Sequence, residues 1–86
     1  MPAPMLYYQI AADLELRIRA GEFPADHRGN RKLPTYAALG EQYQRGPSTI
    51  RRAIRRLAED GFVVGRPGDA VYVVDELPPA KPPKKG

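Results

Sequence analysis

Apolar residues recur at every fourth position from the start of the chain: Leu6, Ile10, Leu14 and Ile18 form one stripe, widened by Tyr7 and Ala11. Asp13, Glu15, Arg17 and Arg19 fall off that stripe, so the pattern predicts a helix over 6–20 with one buried face. Gly21 follows at once and accepts the left-handed backbone on which helices close. Glu22-Phe23-Pro24 leads out, with Phe23 tucked beneath the helix. Residues 25–32 show no period and are read as a loop. Leu33-Pro34 then introduces Thr35, whose hydroxyl suits the N-cap of a second helix at Tyr36. That helix runs about 35–44, with Ala38, Leu39 and Tyr43 as a short apolar face. Gly40 within it costs about 1 kcal/mol relative to alanine, unless it permits a close approach of two helices.

Arg45-Gly46 is a tight turn, and Pro47 fits the first position of a third helix, where its missing N–H is not needed. Ile50, Ala53, Ile54 and Leu57 give that helix, ending at Asp60, an apolar face at the i, i+3, i+4, i+7 spacing. Ser48, Arg52, Arg55 and Glu59 wind onto the opposite face, with Thr49, Arg51 and Arg56 on its flanks. Gly61 ends the helix. Phe62-Val63-Val64 and Val71-Tyr72-Val73-Val74 are β-branched and aromatic runs around the turn residues 65–70, which predicts a hairpin. The predicted fold is mainly α with a small β-hairpin: a winged helix-turn-helix of three helices plus a two-stranded wing. It occupies residues 6–77, between an N-terminal tail (1–5) and a Pro/Lys-rich tail (78–86) expected to be extended and disordered.

A chain of 86 residues supports one small core. The absence of cysteine excludes a disulfide, a thiolate zinc site and a cysteine nucleophile, and it fits a reducing compartment. No apolar run reaches the length of a membrane span and no signal-peptide pattern opens the chain, so a cytoplasmic protein is expected. His27, the only histidine, lies in the loop and reads as solvated, while Glu59 and Asp60 simply close a helix. With no phosphate-binding or dinucleotide motif either, neither enzyme chemistry nor a cofactor or metal is expected.

Charge changes the picture. The net charge is +4, and residues 45–56 hold five arginines (Arg45, Arg51, Arg52, Arg55, Arg56) without one acid. Surface helices usually mix signs for i,i+4 pairing, and cations early in a helix oppose its dipole. Contact with nucleic acid is therefore preferred over a merely solvated face. Helix, short glycine turn and helix together set the second helix into the DNA major groove, with its N-terminal residues at the base edges. Here those residues are Pro47, Ser48, Thr49, Arg51 and Arg52. In the wing, Arg66 suits a narrow, negative minor groove, whereas Asp69 argues against deep insertion of the tip. A hairpin that only covers the core explains the tip equally well.

The segments YYQIAADLELRIRAGEFP, LPTYAALGEQY and STIRRAIRRLAEDGFVVGRPGDAVYV together resemble the DNA-binding domain of GntR-family bacterial transcriptional regulators, over Tyr7 to Val74. The resemblance implies that Thr35 and Tyr36 lie at a phosphate. It also implies that Ser48, Thr49 and Arg51 contact phosphate or bases, and that Gly68 sits at the wing tip. The chain departs from the family where Ala37 and Pro47 replace common arginines and Ala70 a common glycine. Arg45 and Arg52 are candidates to compensate. The loop between Pro24 and Leu33 is about four residues longer than the family's, and its Arg28, Arg31 and Lys32 are candidates for backbone contacts.

The full candidate DNA-contact set is Lys32, Thr35, Tyr36, Arg45, Pro47, Ser48, Thr49, Arg51, Arg52, Arg55, Arg66 and Gly68. The expected partner is double-stranded DNA bearing an inverted-repeat operator, read by a repressor. Met5, Tyr7 and Tyr8 are candidates for a weak homodimer contact, although core packing claims at least one tyrosine. Family members usually add a C-terminal effector and dimerisation domain, so the chain is expected to be a stand-alone DNA-binding protein or a fragment, with no small-molecule effector. Three rivals remain: a winged-helix module meeting an acidic protein, a nonspecific nucleic-acid binder, and an RNA binder. The last lacks stacking aromatics on the polar face of the basic helix.

Overall fold

A computed structural model describes residues 5–66 and 70–79. Its elements are α1 (Tyr7–Arg19), β1 (Arg31–Lys32), α2 (Tyr36–Tyr43), α3 (Pro47–Glu59), β2 (Val63–Gly65) and β3 (Val71–Val73). The architecture is the expected winged helix-turn-helix, with one correction. The segment read as loop contributes a third strand, and the antiparallel sheet runs β1-β3-β2. Two residues are too few to show a period of two, so β1 is specified by its partner. Arg31 pairs with Val73 and Lys32 with Tyr72, while Val63, Val64 and Gly65 pair with Val73, Tyr72 and Val71.

The core lies where α1 and α2 pack against α3 and the sheet closes the open side. Ile10, Leu14, Ile18, Leu39, Ile50 and Leu57 are fully buried, joined by Phe23, Leu33, Ala53, Ile54, Phe62, Val63 and Val73. Among the described residues no polar or charged side chain is buried, so the fold rests on apolar burial. Met5 and Tyr7 pack on the edge of this core, whereas Tyr8 stands 50% exposed. None of the described helices is long and apolar enough to cross a membrane.

Local chemistry sets the joints. Thr35 caps α2, its Oγ1 accepting from the Ala38 N–H at 3.0 Å. Pro47 opens α3 behind Gly46, as the spacing predicts. Between them Gln44 adopts a left-handed backbone (φ 57°), and the Arg45 N–H donates to the Gly40 carbonyl at 3.0 Å. Gly40 meets this turn closely: a Cβ there would lie 2.8 Å from the Arg45 carbonyl oxygen. Its glycine permits close approach, here of a helix to its own turn.

The loop before β1 is also built. The Asp26 carboxylate accepts from the N–H groups of Arg28 (2.8 Å) and Asn30 (2.9 Å), and Gly29 takes φ 85°. These backbone bonds hold the Asp26 carboxyl below its ordinary range. The turn delivers Arg31 inward, where Nε donates to the Phe23 carbonyl (3.1 Å) and Nη2 to that of Ile18 (3.2 Å). Arg31, read as a candidate for a phosphate contact, thus commits two of its donors within the protein, one of them to an Ile18 carbonyl that also accepts from the Gly21 N–H. Arg31→Ala is expected to cost about 1–2 kcal/mol of stability, measured by denaturant titration. An unchanged midpoint would show that these bonds contribute nothing.

Residues 1–4 and 80–86, with most of both expected tails, lie outside the described residues, as do Gly68 and Asp69 of the expected wing tip. Pro78 offers its carbonyl to Arg19 Nη2 at 2.9 Å.

Candidate nucleic-acid interface

α3 divides into two faces. Ile50, Ala53, Ile54 and Leu57 are buried, and Pro47, Ser48, Arg51, Arg52, Arg55 and Arg56 are exposed. The only ion pair on this helix among the described residues joins Arg56 to Asp60, at 3.3 Å. Arg45, Arg51, Arg52, Arg55 and Arg66 have no carboxylate partner among the described residues, so no ion pair there neutralises their charge.

The structure sorts the expected contact residues into two groups. Tyr36, Arg45 and Pro47 line one open groove with Ala37, Gly40, Glu41 and Gln44, where α2 meets the start of α3. Arg45 Nη2 lies 3.4 Å from Thr49 Oγ1, a long contact that steers both side chains toward this edge. Thr35 is exposed at the cap of α2, and Arg51 sits over the Tyr36 ring, 5.8 Å from its centroid. Ser48, Arg52 and Arg55 continue the exposed face of α3.

Lys32 and Arg66 form the second group, on the sheet. Lys32 lies in register with Tyr72, and the Arg66 guanidinium stands 4.6 Å from the Tyr72 ring centroid. Val63 and Val73 turn to the core while Val64 on the same outward face as Tyr72 is exposed.

Sequence reasoning missed the tyrosines that lie under these arginines. Arg52 rests over the Tyr7 ring at 4.3 Å, although the two stand on different helices. No local spacing announces a contact between distant segments. It also missed a polar network binding α1 to α2. Tyr43 Oη donates to Asp13 Oδ2 at 2.6 Å and accepts from Arg17 Nη1 at 2.9 Å. Arg17 further donates to Gln42 (3.0 Å) and Glu22 (2.9 Å) and lies over the Phe23 ring. Asp13 and Arg17 are two of the four residues that fell off the α1 stripe, and four residues apart they share one flank.

Burial, then the hydrogen bond to Asp13, pushes the Tyr43 hydroxyl up to about 12 from 10.0. A phenol with a raised folded value stabilises fully below the unfolded value, and the contribution is lost as pH rises from 10 toward 12. Stability is therefore expected to fall across that window, and less steeply in Tyr43→Phe; identical slopes in urea titrations at pH 9, 10.5 and 12 would rule this out.

Residues 6–73 match the model for bacterial regulatory proteins of the gntR family. The Exu regulon transcriptional regulator of Escherichia coli (strain K12) is 33% identical over 73 residues, covering 85% of this chain and 27% of that protein. The chain thus spans about a quarter of the length of the curated relatives it matches. Among solved structures, Streptococcus agalactiae GntR is 34% identical with a TM-score of 0.68, over 81% of this chain and 32% of that one. The AraR DNA-binding domain in complex with operator ORE1 is 26% identical with a TM-score of 0.70, over 86% and 83%. Helix order, sheet and sequence agree over nearly all of the folded part, and the chain belongs to the gntR family of bacterial regulatory proteins.

Proposed function

We propose that this chain is a sequence-specific double-stranded DNA-binding transcriptional regulator, acting as a repressor at an inverted-repeat operator. The carrying observation is the divided α3: one face is sunk in the core, and the other offers arginines without carboxylate partners. The major groove admits one helix, and an arginine fork matches O6 and N7 of guanine. In this reading α3 lies in the major groove with Pro47, Ser48, Thr49, Arg51, Arg52 and Arg55 along it. Thr35, Tyr36 and Arg45 meet the flanking phosphates. Lys32, Arg66 and the Gly68 tip follow the backbone or the minor groove. The likeness to an AraR domain held on operator DNA supports the same partner here.

Residues 6–77 form the DNA-binding module, working in the cytoplasm at the nucleoid, with the lysines of the C-terminal tail adding salt-screened attraction. Two half-sites about one helical turn apart call for two copies, and exposed Tyr8 is the candidate for their weak contact. The reading includes neither a catalytic step nor a small-molecule effector.

The test is selection of bound duplexes from a random pool, followed by titration of the winner and a scrambled duplex at two salt concentrations. The expected outcome is a short inverted repeat, preferred over scrambled DNA, with affinity falling as salt rises. Arg52→Ala should relax base preference, whereas Lys32→Ala should weaken every duplex alike. Uniform binding of all duplexes would make the chain a nonspecific binder. No binding at low salt would overturn the DNA reading in favour of an acidic protein partner.

A further inference from the structure

Three arginines of the proposed interface sit over tyrosine rings from three different elements: Arg52 over Tyr7 of α1, Arg51 over Tyr36 of α2, and Arg66 over Tyr72 of β3. Arg17 over Phe23 and Tyr43 and Arg19 over Phe62 make similar contacts elsewhere, but both of those arginines also pair with a carboxylate, and the three here do not among the described residues. The tightest is Arg52 on Tyr7, with 4.3 Å between the guanidinium carbon and the ring centroid. Tyr7 is itself held: it packs on the edge of the core, and the Tyr8 ring meets it edge-on at 5.6 Å and 83°. Arg52, by contrast, is exposed and has no carboxylate partner among the described residues.

Stacking engages the flat face of a guanidinium and leaves its in-plane N–H fork open. A stacked arginine can therefore still present two parallel donors to a guanine edge. An unsupported arginine must surrender rotamer freedom when it binds, whereas one resting on a ring has surrendered part of it already. We propose that Tyr7 is a positioning residue for DNA readout, through which the first turn of α1 holds the Arg52 fork at the angle used on the base edge. The proposal rests on α3 being the base-contacting helix and adds α1 to the specificity machinery.

The experiment uses the full chain, the selected duplex and its scrambled counterpart. Tyr7→Leu is expected to lower the preference for the selected duplex by about three- to fivefold, the size of an exposed cation–π contact, while affinity for scrambled duplex and its salt slope stay the same. Tyr7→Phe keeps the ring and restores the preference. In an Arg52→Ala background, Tyr7→Leu changes nothing further. Equal losses on both duplexes, or a loss that persists without Arg52, would reduce Tyr7 to a packing residue and overturn the proposal. So would an unchanged preference in Tyr7→Leu.

A second readout needs no DNA. In the free protein the δ-methylene protons of Arg52 should show an upfield ring-current shift in the NMR spectrum, kept by Tyr7→Phe and lost in Tyr7→Leu. Should Tyr7→Leu fail to fold, Tyr7→Met fills the gap with a flexible apolar chain and is held to the same two readouts. Absence of the shift in the unsubstituted chain overturns the clamp while leaving the DNA reading intact. Failure of the unsubstituted chain to prefer any duplex, with the shift present, overturns the DNA reading instead.

Discussion

Gly40→Ala is expected to destabilise the chain by about 1–3 kcal/mol, the usual range for an overpacked site, although alanine is the better helix former by about 1 kcal/mol. The opposing terms are decided by one distance. The new Cβ would lie 2.8 Å from the Arg45 carbonyl oxygen, closer than real Cβ contacts come. That oxygen cannot swing away as the tip of a side chain would. It belongs to the backbone of the turn, held by the left-handed Gln44 and by the Arg45 N–H bond to Gly40 itself. Relief requires the turn to shift away from α2, which displaces the start of α3 and disturbs the packing of the buried Leu39 and Ile50.

In a domain of this size each kcal/mol moves the melting temperature by about 4–8 °C, so the effect is measurable by circular dichroism. On the proposed reading duplex selectivity falls with it, because this turn also sets where Pro47 and Ser48 emerge. A melting temperature equal to or above that of the unsubstituted chain would mean the turn yields freely. Gly40 would then be incidental.

Where helix faces are wide and periodic, sequence and structure agree, except at the start of the α1 stripe, where Leu6 precedes the helix and stands 45% exposed. Ile10, Leu14 and Ile18, and again Ile50, Ala53, Ile54 and Leu57, were legible because a 3.6-residue period repeats over several turns. The caps were legible for a local reason: Thr35 and Pro47 act on backbone groups within one turn of themselves. What was not legible is what depends on pairs distant along the chain. Arg31 read as a loop cation because nothing near it reveals that the carbonyls of Ile18 and Phe23 point its way. The strand β1 carries no signal of its own and exists because β3 offers it an edge. The Tyr43–Asp13–Arg17 network and the Tyr7–Arg52 contact join different helices and are set by how these pack. The exposed arginines of α3 could be placed on a face from sequence, but their tyrosine supports could not.

Two substitutions on α3 should separate the core face from the ligand face most sharply. Ile50 is fully buried at the junction of α2 and α3. Truncation of a buried isoleucine to alanine removes about 2–5 kcal/mol, against a total of only about 5–15 kcal/mol for a native domain. Ile50→Ala is therefore expected to leave a chain that melts well below the unsubstituted one, and any loss of DNA binding should track the unfolded fraction. Arg55 lies on the same helix but is exposed and makes no ion pair among the described residues. Arg55→Ala should change stability by no more than about 0.5 kcal/mol. On the proposed reading it weakens the selected duplex by about 1–3 kcal/mol, roughly five- to 150-fold. Melting and duplex titration of both variants decide the matter. If Arg55→Ala melts with Ile50→Ala, its guanidinium supports the fold and the division of α3 into two faces is wrong. If it melts normally and binds the selected duplex undiminished, Arg55 faces solvent rather than bases, and readout falls to Arg51 and Arg52.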